Sequence, residues 1–151
     1  MITRIAIISD THGLLRPEVK EILKECSCII HAGDINRESI LEELREYGTL
    51  YVIRGNNDKG PWAEELPEHL EFEICGVRFY MVHNKKHLMS YSAGDPDVII
   101  FGHSHKYHHE KTDGILWLNP GSCGKRRFDL PITMAVMEVA DGNYSVERID
   151  I

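Results

Sequence analysis

The sequence predicts an α/β protein built from two packed β-sheets with helices on the outside. Three observations predict this. The first 54 residues alternate apolar runs with amphipathic stretches in a βαβαβ order. The remainder changes to short alternating or fully apolar runs separated by turn residues. No internal repeat, low-complexity tract or interdomain linker interrupts the 151 residues. A chain of this length reads as one domain, residues 1–151, and about 150 residues can bury roughly 70% of the unfolded surface.

RIAIIS (4–9) is a short apolar run bounded by polar residues, the pattern of a strand buried on both faces. PEVKEILKEC (17–26) carries apolar residues at 19, 22, 23 and 26, a helical stripe with Pro17 suited to the first turn. CIIHA (28–32) is a second buried strand, RESILEELREY (37–47) a second amphipathic helix stopped by Gly48, and TLYVIR (49–54) a third strand. Such a βαβαβ opening implies a parallel sheet with right-handed crossovers. HLEFEI (69–74) and VRFYMV (77–82) flank Cys75-Gly76 as a hairpin. DVIIF (97–101), KYHHEKT (106–112), ILWLN (115–119), ITMAVMEV (132–139) and NYSVERIDI (143–151) come next as strands, the last two joined by the hairpin signal Asp141-Gly142. The second half is therefore expected to be mostly antiparallel.

Composition excludes several classes. Apolar content of 42% and charged content of 27% are ordinary for a soluble globular protein. No stretch approaches the about 20 apolar residues of a membrane span. The apolar run before Asp10 is too short for a signal-peptide core, so a cytoplasmic location is expected. A net charge of −7 and a pI near 5.7 disfavour a protein that grips nucleic acid polymers. Cys26, Cys28, Cys75 and Cys123 lack the paired C-x-x-C spacing of a zinc site and read as reduced thiols without a part in function.

The functional signal lies at the ends of the apolar strands. IAIIS runs into Asp10-Thr11-His12, CIIHA into Gly33-Asp34, and LYVIR into Gly55-Asn56-Asn57-Asp58. FYMV runs into His83-Asn84 and VIIF into Gly102-His103-Ser104-His105. Each piece alone has an ordinary reading, as a capping Asp, a turn, or a histidine satisfied at a strand end. Ligands of open α/β sheets bind outside the carboxyl ends of strands. Carboxylates, imidazoles and an amide gathered there are costly without a cation or solvent to satisfy them. Together the five tips predict a metal site. His103 and His105 are expected to aim at it from an extended chain. His108 and His109, further along the same stretch, read as ordinary strand residues.

In this order, D-x-H, GD, GN, H and GHxH resemble the calcineurin-like metallophosphoesterase superfamily. Chain length and NPGS at 119–122 are similar to its small YfcE-type phosphodiesterase branch. The resemblance implies a four-layer αββα sandwich of two mixed β-sheets flanked by helices. It also implies two divalent ions, one held by Asp10, His12, Asp34 and His105, the other by Asp34, Asn56, His83 and His103, with Asp34 bridging. The reaction it implies is hydrolysis of a small organic or nucleotide phosphodiester, by in-line attack of a hydroxide that the two metals share. Mixed N/O ligation favours Mn, then Fe, Ni, Zn or Co, over Ca and Mg.

The departures matter too. Many members carry His where this chain has Asn57, and an amide can donate a hydrogen bond to a phosphoryl oxygen but cannot serve as a general acid. Asn57 and Asp58 are the candidate catalytic side chains, with Asp58 alternatively shaping the loop. Asn57, His87 and Arg126 (or its neighbour Arg127) are candidate substrate contacts. Lys85 and Lys86 read as a solvated face, and Asn119 to Ser122 as part of the site rim. The competing readings are a phosphomonoesterase or phosphatase, a nuclease, and a non-catalytic scaffold like the retromer subunit of the same fold. Replaced ligands would favour the scaffold, and all seven ligand types are present here. Homo-oligomerisation is compatible with the sequence.

Overall fold

A computed structural model describes residues 1–92 and 94–151. β1 (Thr3–Ile8), α1 (Pro17–Leu23), β2 (Cys28–His31), α2 (Glu38–Tyr47) and β3 (Thr49–Val52) form the expected βαβαβ opening. α3 (Pro61–Glu64) is a single turn that the sequence did not announce. β4 (His69–Ile74), β5 (Val77–Val82), a 3-10 turn at Lys85–His87, β6 (Val98–Ile100), β7 (His108–Thr112), β8 (Ile115–Asn119), β9 (Thr133–Ala140) and β10 (Asn143–Asp150) complete the chain.

Two five-stranded sheets result, in the orders β10-β9-β1-β2-β3 and β4-β5-β6-β8-β7. β1, β2 and β3 are parallel, and β9 runs antiparallel to β1. In the second sheet the hairpins β4–β5 and β7–β8 are antiparallel, but β5–β6 and β6–β8 are parallel. The second half is thus mostly antiparallel, as expected, with β6 the exception, paired parallel to both of its neighbours. Its central strand, VII, is buried at every position, which is the mark of a strand flanked by parallel neighbours inside a sandwich.

Alternation of side chains sorts the core into layers. Ile5, Ile7, Ile30, Phe79, Met81, Val98, Ile100, Leu116, Leu118 and Met137 fill the space between the sheets. Ala6, Ile8 and Ile29, on the opposite face of the first sheet, meet Val19 and Leu23 of α1 and Leu41 and Leu44 of α2. The outer face of the second sheet is covered more thinly. Tyr80, Val82, Ile99 and Phe101 pack there with Leu88, Tyr91 and Trp117, beneath the 3-10 turn and coil rather than a long helix. Among the described residues no helix is long and apolar enough to cross a membrane.

Candidate metal centre

Parallel pairing puts the carboxyl ends of β1, β2 and β3 on one edge of the first sheet, and those of β5 and β6 on one edge of the second. The loops leaving these ends interlock. Asp10 N donates to Gly33 O at 3.0 Å and His12 N to Asp34 O at 3.0 Å, tying the first loop to the second. Gly102 N donates to His83 O at 2.9 Å, tying the fifth to the fourth. Glycine makes the approach possible at two of these tips. A Cβ on Gly55 would lie 2.2 Å from Asp34 N, and one on Gly102 would lie 2.2 Å from Ser9 Oγ.

Asp10, His12, Asp34, His83 and His105 are all buried at the meeting point. His105 Nε2 lies 3.5 Å from Asp10 Oδ1 and 3.3 Å from His12 Nε2. His12 Nε2 is 3.7 Å from both Asp10 Oδ1 and Asp34 Oδ2. His83 Nε2 is 3.2 Å from Asp34 Oδ2 and 3.8 Å from Asp10 Oδ1. The donors thus fall into two overlapping groups, Asp10 with His12 and His105, and Asp10 with Asp34 and His83. Around a cation bound at about 2.1 Å, adjacent ligand atoms stand about 3.0–3.4 Å apart, close to several of these spacings.

Two further observations fit a divalent cation. Asp10 Oδ1 and His83 Nε2, both facing the cluster, are buried without a hydrogen-bond partner. Among the described residues, neither the Asp10 nor the Asp34 carboxylate is paired with Lys or Arg; the ionisable groups beside them are imidazoles. Two carboxylates without a Lys or Arg partner in a desolvated site are expensive, and a cation between them removes the cost.

The other atom of Asp10, of Asp34 and of His83 is held from behind. Asp10 Oδ2 accepts from Ser9 Oγ at 2.7 Å and from His103 N at 3.1 Å. Asp34 Oδ1 accepts from Asn57 N at 2.9 Å. His83 Nδ1 donates to Ala32 O at 2.7 Å, which fixes the tautomer that leaves Nε2 free as a ligand. Burial lowers the proton affinity of His83, but the carboxylates of Asp34 and Asp10 outweigh it and raise the pKa. Burial likewise works against ionised Asp34, yet attraction to the nearby His83 imidazole and the hydrogen bond from Asn57 N hold its carboxyl well below the usual range. His105 is pushed down, by burial first and by the charges of His12 and Arg127, with Asp10 opposing.

Asn56 and His103 stand apart from this cluster. Both are exposed at its rim, with Asn56 Oδ1 3.2 Å from His103 Nδ1, and the His103 ring lies 5.4 Å from that of His83. His103 and His105 are not on an extended strand, which is a correction. Both are left-handed, at φ 73° and 64°, in a loop that ends before β7 begins at His108. Asn119, fully buried, holds that loop by donating from Nδ2 to Gly102 O and Ser104 Oγ, each at 3.1 Å. Asp10, His12 and Asp34 are left-handed as well, at 54°, 48° and 62°. Each such residue costs on the order of 1 kcal/mol, strain of the kind that collects at functional sites.

Of the other candidates, Asn57 is exposed and turns its Nδ2 toward Asp34 Oδ2 at 3.3 Å. Asp58 is 1% exposed, and its carboxylate accepts four backbone N–H groups at 2.8–3.0 Å, from Asp34, Ile35, Asn36 and Gly55. It faces backbone, not a space that a substrate can enter. His87 lines a cavity of about 260 Å³ together with Asn56, His83 and His103. Arg126 is exposed, and it is Arg127 whose charge is felt at His105. The four cysteines are free, with Cys75 exposed and burial pushing the Cys123 thiol up to about 12.

The sequence did not mark out His31. It is fully buried, accepts from Gly33 N at Nδ1 (3.1 Å), and therefore donates from Nε2 to Thr11 Oγ1 at 2.9 Å, bracing the first two loops together. Its one signal was a histidine inside an apolar run, which is equally the signal of a core residue.

A family model described as the calcineurin-like phosphoesterase superfamily domain matches residues 3–142. The chain belongs to this superfamily. Relatives include a Bacillus subtilis protein named as a probable metallophosphoesterase, 33% identical over 97% of this chain and 90% of its own length. A phosphodiesterase of Methanocaldococcus jannaschii is 26% identical over 93% and 96% of the two chains. The solved structure of vacuolar protein sorting 29 from Cryptosporidium parvum shares the fold. Its TM-score is 0.79 at 19% identity, over 99% of this chain and 98% of that one. Within the superfamily this chain is a phosphoester hydrolase of the metal-dependent kind, with donor groups that fit a metal.

Proposed function

We propose that the chain is a dinuclear metal-dependent phosphodiesterase acting on small organic or nucleotide diesters. The observation that carries this is the convergence of five buried donors in two groups about Asp10 Oδ1, with no Lys or Arg among the described residues paired to the carboxylates. Asp10, His12, Asp34 and His105 would hold one ion, and Asp34, Asn56, His83 and His103 the other, with Mn preferred and Fe, Ni, Zn or Co compatible with the same donors. When bound, such a pair supplies charge for the phosphoryl oxygens and lowers the pKa of water at the site.

The protein groups do the positioning. Asp58 anchors the second and third loops through their backbone and so sets Asp34; it is a support and not a proton carrier. Asn57 offers an amide donor to a phosphoryl oxygen and no acid to a leaving group. Substrates with already acidic leaving groups are therefore preferred. Diester over monoester is favoured by the name of the Methanocaldococcus jannaschii relative and by two cavities that meet at the site. The likeness to vacuolar protein sorting 29 is one of fold, and an intact buried donor set weighs against a purely scaffolding role. A cytoplasmic location is part of the same reading.

The test is hydrolysis of bis(p-nitrophenyl) phosphate and p-nitrophenyl phosphate by purified protein with added Mn²⁺. The diester is expected to be the better substrate, with rates that fall steeply as leaving-group pKa rises. Faster monoester turnover, or a flat dependence on leaving group, would contradict the assignment.

A further inference from the structure

A phosphodiester has two organic arms, and the site opens into two cavities that share Asn84 and His103 as a common wall. The smaller, about 260 Å³, is lined by groups of both signs, including Arg54 and Glu68. The larger, about 430 Å³, is different in kind. Lys85, Lys86, Lys106 and His108 surround it, Phe101 and Tyr107 supply aromatic surface, and none of its lining residues is acidic. In a chain with 24 acidic and 17 basic residues, three lysines around one cavity without a carboxylate form a local reversal of the overall charge.

The lysines are set on the scaffold rather than scattered. Lys86 N donates to Asn84 Oδ1 at 3.0 Å, which fixes the 3-10 turn beside the His83 tip. The Lys85 ammonium lies 5.5 Å from the centre of the Phe101 ring, at the tip of β6. Lys106 comes directly after His105, and its N–H donates to Ser104 Oγ at 3.3 Å. Two ligand-bearing loops therefore each carry basic side chains to one side of His103.

Resting on the phosphodiesterase reading, we infer that this cavity selects diesters in which one arm carries a second anionic group, a phosphate or carboxylate, on a planar or sugar-like body. The anion would lie among Lys85, Lys86 and Lys106, and the body against Phe101 and Tyr107. A cavity of this size lies within the usual range for small-ligand sites.

The p-nitrophenyl ester of thymidine 5′-monophosphate and the same ester carrying a 3′-phosphate form a matched pair. The bisphosphate ester is expected to show a kcat/KM about tenfold higher, as charge-assisted contacts predict. The ratio should collapse toward one in Lys86→Gln/Lys106→Gln. A second readout removes the metal. In EDTA, titration calorimetry should detect thymidine 3′,5′-bisphosphate binding that weakens about tenfold in the double variant and falls with salt. A ratio near one in the unmodified protein, or an undiminished ratio and affinity in the variant, would overturn the inference. If neither ester turns over with any divalent metal, the phosphodiesterase reading itself fails, and the metal-free titration alone decides the anion site.

Discussion

At the scale of single residues, the site depends on side chains that would not touch a metal. Asp58 is the clearest case. Each of its oxygens accepts two backbone N–H groups, Oδ2 those of Asp34 and Gly55, Oδ1 those of Ile35 and Asn36. In Asp58→Asn one oxygen becomes an NH₂ that must face two donors. A loss of about 3 kcal/mol is expected, read by guanidinium denaturation of the metal-free protein. His31 makes a pH prediction. Burial lowers its pKa from 6.5 to about 4, so the unfolded chain binds the extra proton between those values. Stability contributed by neutral His31 is present above pH 6.5 and is lost as pH falls toward 4. The loss amounts to about 3 kcal/mol across that window. Denaturation midpoints in EDTA from about pH 7 to about pH 4.5 should show that slope, and His31→Gln should flatten it.

At the scale of elements, the design is a set of strand tips brought close enough to share one centre. Gly102 permits this because an added Cβ would meet Ser9 Oγ at 2.2 Å and Asp10 Oδ2 at 2.7 Å. Gly102→Ala should therefore cost about 2 kcal/mol and weaken metal uptake together, measured by thermal unfolding and by metal titration. The tips themselves were legible because each apolar strand ends abruptly in chemistry-bearing letters: Asp10-Thr11-His12, Gly33-Asp34, Gly55-Asn56, His83, Gly102-His103. Their backbone conformation was not. Left-handed turns at Asp10, His12, Asp34, His103 and His105 are imposed by contacts between loops distant in sequence, as are the bracing roles of Asn119 and His31. Local pattern cannot carry such information. For the same reason β7 starts two residues later than its alternation suggested, since the histidine loop consumes Lys106 and Tyr107.

At the scale of the molecule, two sheets with parallel centres direct their carboxyl ends to one place, and among the described residues the α-helices lie over one outer face. The sandwich was readable from buried apolar strands, whereas the parallel pairing of β5, β6 and β8 was hidden by the intervening hairpin strand β7. The convergence of tips has its purpose, on the proposed reading, in holding two metals. Elemental analysis after reconstitution with Mn²⁺ and desalting probes this without recourse to activity, comparing unmodified protein with Asp34→Ala, His12→Ala and His108→Ala. Two metals per chain are expected in the unmodified protein and in His108→Ala, about one in His12→Ala, and essentially none in Asp34→Ala. A single metal in the unmodified protein, or full occupancy in Asp34→Ala, would refute the dinuclear assignment.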